Sequence, residues 1–305
     1  MAAYTTIDNP ELYFQCKIYT GNGSATHAIT FDGDEDMQPD LVWIKNRSSA
    51  ENHALVDSVR GVGKQLLANA TAGEYSNANS VKAFNSNGFS VGDLSDTNGN
   101  TNNLVAWCWK AGTSFSNDAS ATSVGNTDSS GSASSTAGFS ISKYTGVGAS
   151  LDIVVKHGLS AAPAMMWTKN LDDANNWGVY HHKNTSAPET DYLRLDTNAA
   201  TTDDAEMWAD TAPTSAVFTA GDHSSSNRAG DDFVSYFWNE IQGFSKFGSY
   251  VGNGNADGPF VWTGFRPAWI MFKPTGESAD WTIVDNKRNT FNPTADKTLN
   301  ANLNT

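Results

Sequence analysis

The sequence predicts an all-β protein: a tandem array of antiparallel β-sandwich domains, jelly-roll or lectin-like in type, with little helix. Three observations carry that prediction. First, a short apolar block occurs three times, as Pro39-Asp-Leu-Val-Trp-Ile-Lys45, Pro163-Ala-Met-Met-Trp-Thr-Lys169 and Pro267-Ala-Trp-Ile-Met-Phe-Lys273. Proline suits the first residue of a strand because it lacks the N–H that an inner ladder position needs. The apolar run behind it reads as a strand buried on both faces, and the lysine ends it because an unpaired charge is costly in a core.

Second, the surroundings of the three blocks agree. Eight residues after each lysine stands His53, Trp177 or Trp281, followed by an apolar stretch. Upstream of each block is a Tyr-x-Gly-x-Gly signature at Tyr19–Gly23, Tyr144–Gly148 and Tyr250–Gly254. In copies one and two, Phe89 and Phe218 each precede a closing apolar strand, beginning at Leu104 and Phe233, by fifteen residues. The spacing of roughly 100 residues or a little more is that of a whole small domain, not of a solenoid unit. Third, Asn, Ser, Thr, Gly and Asp fill the rest of the 305 residues, and few stretches have helical periodicity.

Taken in order, residues 1–13 form a polar arm. Domain one, residues 14–112, opens with Phe14–Tyr19, where Phe14, Cys16 and Ile18 share a face by the two-residue period. After the Tyr19–Gly23 turn, Ala28–Phe31 returns as a second strand. The central strand, a strand near His53–Val56 and the final Leu104–Trp109 strand follow, the last buried on both sides. Residues 113–137 are almost wholly small and polar; they read as an interdomain linker that leaves domains one and two loosely joined. Domain two spans 138–242, and domain three, 243–305, follows with no spacer. The third copy lacks the closing strands, which leaves an open edge. The expectation is a fragment of a longer protein, or strands supplied by a partner chain.

The tryptophans at repeat-equivalent positions (Trp43, Trp107, Trp109, Trp167, Trp177, Trp238 and Trp281) read as core. Trp208, Trp262 and Trp269 are less clearly shared. Trp208, flanked by Asp203, Asp204 and Asp210, is the candidate for glycan contact, since an aromatic beside carboxylates can stack on and hydrogen-bond a sugar. Asp32, Asp34 and Asp36 form the densest acidic patch. They are a candidate Ca²⁺ site, with a solvated turn as the plainer reading, and the loop is no EF-hand because its twelfth position is Trp43. Otherwise no cofactor is expected. Cys16 and Cys108 read as buried free thiols, a single disulfide being the alternative.

A formal net charge of −14 opposes nucleic-acid and anionic-membrane binding. No apolar stretch suits membrane insertion, and no signal peptide precedes the first domain. Catalytic spacing motifs are missing: there is no metal-binding HExxH or CxxC and no Gly-x-Ser-x-Gly elbow. The adjacent His181-His182 would point to opposite faces of a strand. A non-enzymatic protein is expected.

Several motifs together resemble a repeat family of marine bacteriophage virion proteins. They are Tyr19–Gly23, Asp34–Asp40 running into Trp43, Asp57-Ser-Val-Arg-Gly61, Trp107–Gly112 and Tyr250–Pro267. The resemblance covers essentially the whole chain and implies a virion component made in the host cytoplasm, a tail fibre or surface appendage with lectin-like sandwiches. It implies other virion proteins as partners and no catalytic residues. Homotrimerisation and host-glycan (receptor) binding are the accompanying expectations. A capsid decoration or head-fibre protein with a purely structural role, or a tailspike-like polysaccharide depolymerase, are the alternatives.

Overall fold

The computed structural model describes residues 4–289 and 297–305. It is all-β, with strands in antiparallel sheets and only 7% helix. The first copy contributes β1 (Phe14–Thr20), β2 (His27–Thr30), β3 (Leu41–Asn46), β4 (Ala54–Asp57), β5 (Lys64–Leu67), β6 (Tyr75–Ser76), β7 (Val81–Asn85), β8 (Gly88–Val91) and β9 (Asn103–Trp109). They form a six-stranded sheet in the order β1-β9-β3-β4-β5-β6 and a three-stranded sheet β2-β8-β7. The second copy contributes β10 (Thr113–Asn117), β11 (Ser129–Ser134), β12 (Phe139–Thr145), β13 (Ile153–Lys156), β14 (Met165–Asn170), β15 (Gly178–His181), β16 (Asp191–Arg194), β17 (Thr202–Asp203), β18 (Val217–Ala220) and β19 (Asp232–Trp238). Their large sheet runs β10-β11-β12-β19-β14-β15-β16-β17, faced by the pair β13-β18. The run β12-β19-β14-β15-β16 repeats β1-β9-β3-β4-β5. The third copy has β20 (Trp269–Phe272), β21 (Thr282–Asp285) and β22 (Leu299–Asn300), the counterparts of β3, β4 and β5.

The central strands β3 and β14 are buried on both faces, as their uninterrupted apolar runs predict, whereas β20 is covered on one face only, with Ile270 and Phe272 exposed on the other. Val42 and Ile44 face a first sandwich core with Ile29, Phe89, Val91 and Cys108. Met166, Phe233 and Phe237 face a second, with Tyr144, Trp208 and Phe218. The opposite faces of all three copies meet in one shared core, where Trp43, Trp107, Trp109, Trp167 and Trp238 pack with Ile283 and Trp281. Trp43 lies 5.1 Å from Trp107 and 5.4 Å from Trp167, both edge to face. All seven repeat-equivalent tryptophans are buried, as expected.

The copies contact one another cyclically. Each block's closing lysine donates to the backbone of a different copy: Lys169 Nζ to Thr71 O (2.9 Å), Lys273 Nζ to Asn198 O (3.2 Å) and Lys45 Nζ to Asn304 O (3.0 Å). Trp177 Nε1 donates to Leu67 O (2.8 Å) and Trp281 Nε1 to Arg194 O (2.7 Å), across the same two boundaries. The lysines that look like strand terminators therefore cap carbonyls of the neighbouring copy, which for the buried Lys45 and Lys169 satisfies groups that would otherwise be unpaired.

Three expectations need correction, and one alternative falls away. Residues 113–137 are not a linker: β10 and β11 extend the second copy's sheet, with Thr113–Asn117 paired to Ser129–Ala133. Small residues suit this ladder, because a Cβ on Gly131 would lie 2.0 Å from Ile141 O. Domains one and two are not loosely joined, since they share a core. Cys16 and Cys108 are both free and buried, as expected, and the alternative of a disulfide falls away: they sit in adjacent strands, but Cys16 faces the shared core and Cys108 the first sandwich. Finally, Ile18 does not follow Phe14 and Cys16 into the core; it is 39% exposed. The N-terminal arm docks on the third copy, with the Tyr4 hydroxyl donating to Gly264 O at 2.7 Å and Tyr13 edge-on to Phe244.

Candidate functional site

Most ionisable groups with altered properties serve the fold. At the end of β4, Asp57 accepts Arg60 Nε at 2.6 Å, and its other oxygen takes the backbone N–H groups of Val59 and Arg60. The guanidinium also reaches Glu74, Lys64 O and Leu55 O. Tyr236 of the second copy donates its hydroxyl to Asp57 Oδ2 at 2.7 Å. Burial pushes that phenol well above its ordinary pKa, so it remains a donor. The third copy repeats the corner: Arg288 Nε bonds Asp285 Oδ2 at 2.5 Å, and Trp107 Nε1 of the first copy donates to the same oxygen at 3.1 Å. A buried ion pair holding its remaining hydrogen bonds is a fixed structural joint, and neither corner opens to solvent.

The buried bases likewise pack inside the fold. Burial lowers Lys45 and Lys169 to about 8, and both ammonium groups cap carbonyls. His53, lowered to about 3 by burial, accepts Trp43 Nε1 at 2.9 Å. His157, lowered to about 4 by burial, lies on Phe237, and its Nδ1 accepts Leu159 N. Among the described residues, no three His, Cys, Asp or Glu side chains converge as a metal would need.

The residues singled out for binding are placed differently from expectation. Trp208 is only 1% exposed; it packs edge-on to Tyr180 in the second sandwich core and donates to Asp191 O, so it cannot stack on a sugar. Its acidic neighbours shape the backbone. Asp203 pairs with Asp191 across the β16–β17 ladder, Asp204 caps Glu206 N, and Asp210 continues a left-handed turn at φ 45°. The polar flanks mislead because Asp203 and Asp210 are exposed and Asp204 half-buried, while a single helical turn points the ring inward. The acidic loop also departs from the Ca²⁺ reading. Asp32 is bound by Lys287 at 3.1 Å and Lys17 at 3.4 Å, and against a desolvation cost these cations hold its carboxyl below the usual range. Asp34 presents its N–H to Glu11, and Asp36 is exposed.

The structure instead gathers exposed aromatics on the third copy. Trp262 is 75% exposed and Phe260 87%, with ring centroids 6.5 Å apart. Trp262 borders an open cleft of about 370 Å³ with Tyr4, Glu240, Gln242, Lys246 and Thr263. Glu240 is tied to Lys246 Nζ at 2.9 Å and to Phe247 N at 3.0 Å; despite desolvation, these contacts hold its carboxyl low. An indole face beside a carboxylate, an ammonium and an amide offers a stacking platform with donors and acceptors around it. Sequence reasoning missed this cleft because Tyr4 and Trp262 are far apart in the chain. The one available signal was that Trp262 is not shared with the other copies.

No curated protein and no solved structure matches the chain. One family model does, over residues 9–305, and the chain accordingly belongs to that family, the domain of unknown function DUF7483.

Proposed function

We propose that this chain is a non-enzymatic structural and binding component of a phage particle, a tail fibre or surface appendage that recognises host glycan through the Trp262 cleft. The observation that carries the reading is the exposed indole of Trp262 over polar groups, on a body whose other altered ionisable groups are engaged in holding the fold. The resemblance of the repeated motifs to virion repeat proteins supports the particle assignment. The all-β sandwich architecture and the acidic composition, with a net charge of −14, fit a particle surface component better than a nucleic-acid binder. Trimerisation in a fibre would align three weak clefts and raise avidity by roughly 10²–10⁴.

The test has two arms. Immunogold labelling of intact particles with antibody to this chain should mark the tail or a surface appendage. A panel of host surface oligosaccharides should bind the protein and lose binding in Trp262→Ala with unchanged circular dichroism. Unlabelled particles sink the virion reading, and a Trp262→Ala protein that binds as well as the parent sinks the cleft.

A further inference from the structure

We infer that the ring of three copies has one acid-sensitive seam, between the first and third copies, and that His53 is the group whose protonation opens it. The inference rests on a departure from the repeat geometry and is independent of the glycan reading. The three seams are built alike. In each, a ring is turned to the carbonyl that ends a strand of the neighbouring copy, and a lysine caps the carbonyl four residues further on. Trp177 Nε1 donates to Leu67 O and Lys169 Nζ to Thr71 O. Trp281 Nε1 donates to Arg194 O and Lys273 Nζ to Asn198 O. At the third seam Lys45 Nζ donates to Asn304 O in the same way, but the ring is His53. Leu67, Arg194 and Asn300 close β5, β16 and β22, so the carbonyl equivalent to the two tryptophan acceptors is that of Asn300.

The exchange of tryptophan for histidine changes what the seam tolerates. An indole N–H is a donor only, so the two tryptophan seams are indifferent to acid. His53 Nδ1 accepts Trp43 Nε1 at 2.9 Å, which places the neutral ring's proton on Nε2. That Nε2 is buried and turned to the Asn300 and Leu303 carbonyls of copy three, yet it makes no well-formed hydrogen bond. Protonation puts an N–H on Nδ1 against the Trp43 N–H, which ends the 2.9 Å bond. It also buries a charge whose strongest charged neighbours are cations, Lys45 on β3 and Arg288 at the corner of copy three. Burial, then Lys45 and Arg288, lower the ring to about 3. An opened seam returns it to about 6.5, so the contribution of the neutral ring is complete above that pH and is lost as pH falls below it.

The other charges at this seam do not reproduce the effect. Lys287 reaches Asp32 across it at 3.1 Å, and against a desolvation cost Lys287 and Lys17 hold that carboxyl below the usual range, so the pair survives mild acid. Trp107 donates to Asp285, which Arg288 pairs. Lys45, lowered to about 8 by burial, faces Asp96 and Glu51 and keeps its proton in acid. Asp96, pushed up to about 6 by burial and by its hydrogen bond with Glu51, gains a proton there. Both carboxyls belong to copy one, and their contact tightens on acidification, which opposes opening. The backbone joins copy one to two and two to three, so this seam alone has no direct chain connection. The N-terminal arm, through Tyr4 and Tyr13, keeps a parted seam tethered.

Two native thiols report the opening. Cys16 faces the shared core with Asp285, Arg288 and Lys287 of copy three as charged neighbours, whereas Cys108 lies inside the first sandwich. The experiment labels the whole protein with dithiodipyridine at pH 7.5 and pH 5, divides each rate by that of glutathione at the same pH, and assigns the label by peptide mass spectrometry. With folded and opened values of about 3 and about 6.5, the seam should be about 30-fold more open at pH 5, and Cys16 labelling should rise by about tenfold to 30-fold. Cys108 should stay protected at both pH values. His53→Gln keeps an acceptor for Trp43 and a donor for Asn300 without a titratable ring, so its Cys16 rate should change by less than about threefold. A parent rise below about threefold, Cys16 and Cys108 rising together, or the parent's rise persisting in H53Q overturns the inference. Should H53Q not fold, the parent's two thiols decide it, since global acid unfolding exposes both.

Discussion

Tyr236 couples two copies across the shared core, and its removal tests whether the copies fold as one body. Tyr236→Phe deletes only the hydroxyl, which donates to the Asp57 carboxylate at 2.7 Å and lies 3.3 Å from Arg60 Nη2. Hydrogen bonds to charged groups contribute about 1.5–3 kcal/mol, so a loss in that range is expected. Asp57→Asn takes the nearer countercharge from the buried Arg60 guanidinium, leaving only the partly exposed Glu74 at 3.1 Å, and should cost about 3 kcal/mol. Once Asp57 is neutral, the tyrosine has less to lose. The double variant should therefore be more stable than additivity predicts, with an interaction energy of about 1–2 kcal/mol. Urea unfolding of the parent, both single variants and the double variant gives the cycle, provided each unfolds in one transition with an unchanged m-value. The residues are 179 apart in sequence, so only the tertiary contact can couple them. An interaction energy within about 0.3 kcal/mol of zero, or separate transitions for the first and second copies, would refute the shared core.

Other consequences follow from the same geometry. Trp208→Ala should lose about 3–5 kcal/mol of stability, read by thermal unfolding, because it opens a cavity in the second sandwich core. Trp262→Ala should leave stability within about 0.5 kcal/mol, because its ring is already in water. Lys169→Met should cost about 1–3 kcal/mol by urea unfolding, since three carbonyls, those of Thr71, Asn170 and Asn175, lose their donor. The buried histidines make the fold acid-labile. His53, His157 and His181 are lowered to about 3, 4 and 4 by burial, the last also by His182. Below pH of about 6.5 the unfolded chain takes up protons the folded one refuses, so stability falls from there to about pH 4. For Lys45 and Lys169, at about 8, the unfolded chain again holds more protons between about pH 8 and 10.5, so stability should rise with pH across that window. Urea midpoints measured across pH check both slopes; a flat profile below pH 6.5 would refute the buried-histidine account.

The amino-acid sequence by itself determined the strand content and the repeated unit. Apolar runs opened by proline and closed by lysine satisfy their burial as sheet strands, and β3, β14 and β20 occupy equivalent places, the first two covered on both faces and β20 on one. The shared tryptophans were legible as core for the same reason. Tertiary structure alone decided the rest. β10 and β11 went unseen because a Ser- and Gly-rich strand is held by backbone hydrogen bonds, which side-chain patterns do not reveal. The cyclic contacts were invisible because lysine and tryptophan donate to carbonyls, and a carbonyl carries no residue identity. Trp208 is buried and Trp262 exposed because exposure depends on which way one short turn points a ring and on what packs over it.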